Sequence, residues 1–141
     1  MAKLDPLIRV RKHTIEQKKK FLASLYAKDE ELKEQEDTLK TQLAIETEKA
    51  KDLGAEMMGY FGAYADSVSV QLEELAVVRQ HMEDRIKIAQ DDVRNAFADL
   101  KKIEIIDERR KADILADMDK RESIEIDEIA IDMFMRNNDN D

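Results

Sequence analysis

The chain has no cysteine, no tryptophan, a single proline, three glycines and only 5% aromatic residues in 141 positions. Without cysteine, disulfide scaffolds and thiolate zinc sites are excluded, and the chain is compatible with a reducing compartment. The shortage of aromatics removes the side chains that supply much of the buried area in compact cores. What remains is the Leu, Ile, Ala and Met of a narrow helix-to-helix seam. Scarce proline and glycine take away the usual turn makers, and 40% of the residues are charged, so long helices are favoured over a globule. No apolar run approaches the ~20 residues that cross a bilayer, and the opening MAKLDPLIRVRKH has no apolar signal-peptide core, so a cytoplasmic protein is expected.

Chemistry-bearing constellations are missing too. His13 and His81 stand far apart with no local partner spacing, whereas a structural zinc site needs four converging ligands, so no metal is expected. There is no Gly-rich phosphate loop and no Ser-His-Asp or Cys-His arrangement, and two helices side by side form no cleft to exclude water. Neither a cofactor nor catalysis is expected.

Charge is plentiful and uneven. The net charge of −9 disfavours accumulation on nucleic acid or anionic lipid. Residues 1–28 nevertheless carry eight basic side chains against Asp5 and Glu16, while residues 122–141 carry seven carboxylates against Arg136 alone. Lys18, Lys19 and Lys20 lack an aromatic platform and read as a solvated helix face, or as a basic face that docks on an acidic protein surface, so no nucleic-acid partner is expected.

Asp5 and Pro6 mark a helix start, as N-cap and first helical residue. A heptad rhythm follows. Ile8, Ile15, Leu22, Leu43, Ala50 and Met57 fall on position a, and Leu4, Leu25, Leu32, Leu39, Leu53 and Tyr60 on d. A second series begins at Val68 and runs through Leu72, Leu75, Met82, Ile86, Val93, Leu100, Ile103 and Ile114 to Ile124 and Ile131. The fold expected is all-α, two long helices in an antiparallel coiled-coil hairpin forming a single domain over 1–141. Helix 1 covers about 5–57, a reversal about 58–67, helix 2 about 68–135, and a disordered tail 137–141. The glycines of GAEMMGYFG supply the backbone freedom of the reversal, centred near Gly62. Met57, Met58, Tyr60, Phe61 and Tyr64 have two readings: they close the end of the hairpin, or they form an adaptable hydrophobic contact.

Facing layers of an antiparallel seam have residue numbers that add to a constant, and 125 matches best. It pairs Leu32 with Val93, Leu39 with Ile86, Leu43 with Met82 and Leu53 with Leu72. It also turns the seam charges into two opposite-charge pairs, Lys18 with Asp107 and Glu46 with Arg79. With Leu4 opposite Arg121, residues 122–136 overhang. Their exposed Ile, Met and Phe side chains lead to the expectation of a protein partner there.

The chain resembles the FliJ family, the small coiled-coil stalk proteins of the bacterial flagellar type III export apparatus. The resemblance is one of hairpin architecture over most of the length. Local matches lie in LIRVRK, at Leu7, Arg9 and Arg11, and in IDEIAIDMFMR, at Asp127, Glu128, Ala130 and Arg136. The acidity of the final segment departs from the family pattern. The resemblance implies a non-enzymatic protein similar in fold to the central stalk of rotary ATPases. Its joined ends (Leu7, Arg9, Arg11, Lys12, Ile126, Asp127, Glu128, Ala130, Phe134 and Arg136) engage a hexameric flagellar export ATPase. Its tip half (Gln35, Leu39, Met58, Tyr60, Phe61 and His81) engages the export gate protein. Substrate chaperones are further implied partners, and membrane association is through partners only, at the cytoplasmic face of the inner membrane. Two rival readings are a homodimeric structural coiled coil and a prefoldin-like chaperone, though the latter needs a β-forming segment and no strand alternation is present.

Overall fold

A computed structural model describes residues 4–139. It contains two helices, α1 (Asp5–Ala50) and α2 (Ala55–Asp139), and no strand among the described residues. The Leu4 carbonyl accepts the first helical bond from the Ile8 N–H at 2.9 Å, so α1 begins at Asp5 as expected, with Leu4 rather than Asp5 in the N-cap place. Asp5 then contributes through its charge near the positive end of the helix dipole.

The reversal occupies residues 51–54, not 58–67. The N–H groups of Asp52 and Leu53 donate three residues back, to Lys49 at 3.3 Å and Ala50 at 3.1 Å, and so close α1. The Gly54 carbonyl then accepts from the N–H groups of Met57 and Met58, at 3.1 and 3.2 Å, which makes Gly54 the N-cap of α2. Glycine is well tolerated at that position. None of the three glycines has a positive φ, and Gly59 and Gly62 lie inside the first turns of α2. Glycine permits a turn without requiring one, and the Ala, Glu and Met residues at 55–58, 63 and 65 favour a helix that continues through positions 59 and 62. At the other end α2 continues to Asp139, so the tail expected to be disordered from 137 is helical through 139, and residues 140–141 lie outside the described region.

Packing divides the chain into two units: residues 12–97, and residues up to Arg11 together with those from Ala98 onward. In the first, α1 and α2 lie antiparallel around a cluster of Leu25, Leu32, Met82, Ile86 and Ala89, with Leu22 and Leu75 packed against it. The α1 residues withdrawn from solvent include Ile15, Leu22, Leu25, Leu32, Leu39, Leu43 and Ala50, the rows that the heptad rhythm picks out. Each fully buried leucine contributes on the order of 1.5–3 kcal/mol relative to exposure.

The register differs from the one expected. Arg79 sits between Asp29 and Glu36, with Nη1 3.0 Å from Glu36 and Nε 3.8 Å from Asp29, and is therefore level with Leu32. Paired numbers add to 111, two heptads from 125. The flanking contacts, whose numbers add to 116, also lie nearer to this register than to 125: Gln90 Nε2 donates to Tyr26 Oη at 2.6 Å, and Lys19 Nζ lies 6.0 Å from the Phe97 ring centroid. The expected Glu46–Arg79 pair is replaced, with Glu46 3.7 Å from Lys49 of its own helix. A heptad pattern repeats every seven residues, so it fixes which faces meet but leaves slips of seven open. The four-residue reversal sets the register.

In the second unit Lys111 Nζ lies 3.0 Å from Asp107 and 3.9 Å from Asp5. Asp107 is thus paired with Lys111 rather than with Lys18, which lines a small surface cavity with Phe21 and Asp92 in the other unit. Leu100 is buried, and Ile103 and Asp107 are half-buried. Every described residue after Asp107 is exposed.

Candidate partner-binding surfaces

From Ala112 to Asp139, α2 has no neighbour within its unit that shields it, yet its side chains are not those of a solvated helix. Ile124, Ile131 and Met135 continue the seam row. With 3.6 residues per turn, Ile126, Ile129, Ala130, Met133 and Phe134 fall on another face, at the i, i+3, i+4, i+7, i+8 spacing. Ile126 is 65% exposed and Phe134 67%. A helix apolar on more than one face is ordinarily enclosed by protein.

The carboxylates of this segment are also unlike those of α1. There Glu16, Glu36 and Glu48 pair with Lys19, Lys40 and Lys51 one turn away. Glu122, Asp127 and Glu128 have no basic residue three or four positions away on either side.

The sequence-predicted end residues fall in two places. Leu7, Arg9 and Arg11 lie exposed on the first turns of α1, and Lys12, also exposed, begins the other unit. Because Asp5 lies beside Lys111, Ile126 stands a further 15 residues along α2, roughly 22 Å away at the helical rise. Leu7, Arg9 and Arg11 are therefore not brought together with Ile126, Asp127, Glu128, Ala130, Phe134 and Arg136. Sequence reasoning missed the first part of the unshielded segment, Ile114, Leu115 and Met118, by extending the seam through it. The signal was present in Leu115, which is apolar yet off both seam rows.

In the unit of residues 12–97, a surface cavity of about 720 Å³ lies along one side of the seam. Glu31, Glu34, Gln35, Thr38 and Leu39 of α1 and Gln71, Glu74, Leu75 and Val78 of α2 line it. It brings Gln35 and Leu39 together as neighbours. His81 is exposed and does not line it, Met58 and Tyr60 are exposed in the first turns of α2, and Phe61 is half-buried.

Around Arg79 a smaller surface cavity, lined by Asp29, Glu36, Ala76, Arg79, Gln80 and Glu83, has its charges largely paired. Glu36 accepts from Lys40 at 2.8 Å and from Arg79 at 3.0 Å. The Lys40 bond first and the Arg79 bond second hold its carboxyl below the usual range. Arg79 is held above its ordinary value, chiefly by the bond to Glu36. Its Nε is buried without a hydrogen bond, with Asp29 near enough for charge attraction only.

Among the described residues no three His, Cys, Asp or Glu side chains are grouped so as to hold a metal ion, and no helix is long and apolar enough to cross a membrane. No curated protein and no solved structure matches the chain. The model of the family described as "Flagellar FliJ protein" matches residues 1–139, essentially the whole length. The seam, the hairpin and that match together place the chain in the FliJ family of flagellar proteins.

Proposed function

We propose that this flagellar, export-related protein is a non-enzymatic stalk of the type III export apparatus. Its α2 segment from Ala112 onward binds the hexameric export ATPase, and its tip half binds the export gate, so that ATP hydrolysis is coupled to export. On this reading it also escorts substrate chaperones between rounds and resides at the cytoplasmic face of the inner membrane through these partners. The observation that carries the reading is the unshielded segment, whose apolar side chains on more than one face suit enclosure by a ring better than docking on a flat surface. An asymmetric helix inside a ring contacts each subunit differently and so biases their conformational states, which is a differential binding free energy available for coupling.

Deletion of residues 122–136 tests this. Circular dichroism of the shortened chain should retain a helical hairpin, because the deleted residues contribute nothing to the buried seam. Stimulation of the purified export ATPase should be abolished, and undiminished stimulation would reject the reading. Light scattering separates it from the homodimeric alternative, which requires a stable dimer indifferent to the ATPase.

A further inference from the structure

The cavity on the side of the seam away from Arg79 has walls of a particular kind. Its α1 wall is Glu31, Glu34, Gln35 and Thr38, and its α2 wall is Gln71, Glu74, Leu75 and Val78. Both are i, i+3, i+4, i+7 stripes, so two turns of each helix face the same trough, about 10 Å long at the helical rise. A trough between two such stripes accommodates a third helix by ridges-into-grooves packing. Its floor is apolar, with half-buried Leu39 and Leu75 and exposed Val78.

Its rim is acidic and under-compensated. Of the three carboxylates, Glu31 is paired with Lys28 at 3.4 Å. Glu34 and Glu74 have no basic residue three or four positions away, and no basic side chain lines the cavity. Like charges gathered at a trough are tolerated in water, and their cost falls when cations cover them.

We infer that this trough is the docking site for an amphipathic helix with basic edges supplied by a partner protein. The partner's apolar residues rest on Leu39, Leu75 and Val78, and its Lys or Arg side chains reach Glu34 and Glu74. The inference rests on the reading that the tip half receives a partner, and it specifies that partner's chemistry. A helix of this type lays apolar anchors in the groove and sets orientation by its flanking charges. The stripe from Ile126 to Phe134 of a second copy is a poor occupant, because it is itself edged with carboxylates.

The probes are a three-heptad peptide with Leu at a and d and Lys at e and g, and its counterpart with Glu in place of Lys. Each is titrated into the isotopically labelled full chain and followed by NMR. Shifts should centre on residues 31–39 and 71–78 with the Lys-edged peptide only. The double variant E34K/E74K should weaken binding about tenfold or more, as the loss of two charge contacts at a rim implies. D99K/E108K, which changes net charge equally but lies elsewhere on exposed positions, should bind like the parent. Equal weakening by both double variants would show attraction to net charge and overturn the inference. Shifts outside the trough, or preference for the Glu-edged peptide, would also overturn it. Binding of the same variants to the cytoplasmic domain of the export gate protein is measured in parallel. A gate domain that does not bind while the peptide docks as described defeats the gate reading and leaves the inference standing. A gate domain that binds without regard to Glu34 and Glu74, with no peptide docking, does the reverse.

Discussion

Arg79 is the one arginine placed within the seam of residues 12–97, and its surroundings explain how a charge is accommodated there. Glu36 is shared by Arg79 and Lys40, which lowers its pKa from the ordinary 4.5. A carboxyl depressed on folding stabilises the fold above its unfolded pKa and loses that contribution as pH falls through the folded value. Urea midpoints measured downward from neutral pH should therefore fall once the pH drops below about 4.5. In E36Q part of that acid dependence should disappear, together with some stability at neutral pH; an unchanged acid limb would show that the contact carries no linkage. Lys111 has the opposite sign, since its bond to Asp107 raises its pKa above 10.5, so its contribution holds at lower pH and is lost in strong alkali. The charges on the seam were legible in the sequence as interruptions of the heptad rows, but their partners were not. Glu46 and Glu36 occupy comparable seam positions, and the length of the reversal selects between them.

At the scale of the elements, the two helices and their buried rows followed from heptad periodicity, and the place where the chain turns did not. Three glycines in nine positions suggested a loop, but only Gly54 serves the junction, and it does so through its carbonyl in an ordinary conformation. Gly59 and Gly62 are helical, and a Cβ added at either would meet nothing within 4 Å. Alanine at each should raise stability by about 0.5–1 kcal/mol, because it removes the entropy that glycine adds to the unfolded chain. G54A should act in the other direction, since alanine is a poor N-cap. Thermal or urea unfolding of the three variants checks this, and destabilisation by G59A or G62A would mean that the turn lies where the sequence alone suggested. The unshielded stretch of α2 was partly legible: its apolar residues off the seam rows announced a second face, while the start of that stretch depended on the register.

For the molecule as a whole, the division of labour follows from what is covered and what is not. The seam of residues 12–97 uses its leucines, isoleucines and methionine to hold two helices together. The stretch beyond Lys111 keeps equally apolar residues exposed, and so has affinity to spend on another protein. The chain belongs to a family of flagellar, export-related proteins, and the export ATPase is the partner proposed for this stretch. The most direct test is amide hydrogen exchange across the full chain, alone and with the assembled ATPase hexamer. Residues 112–139 should exchange markedly more slowly in the complex while residues 31–39 and 71–78 remain unchanged. A complex in which residues 112–139 exchange at the free rate would contradict the account.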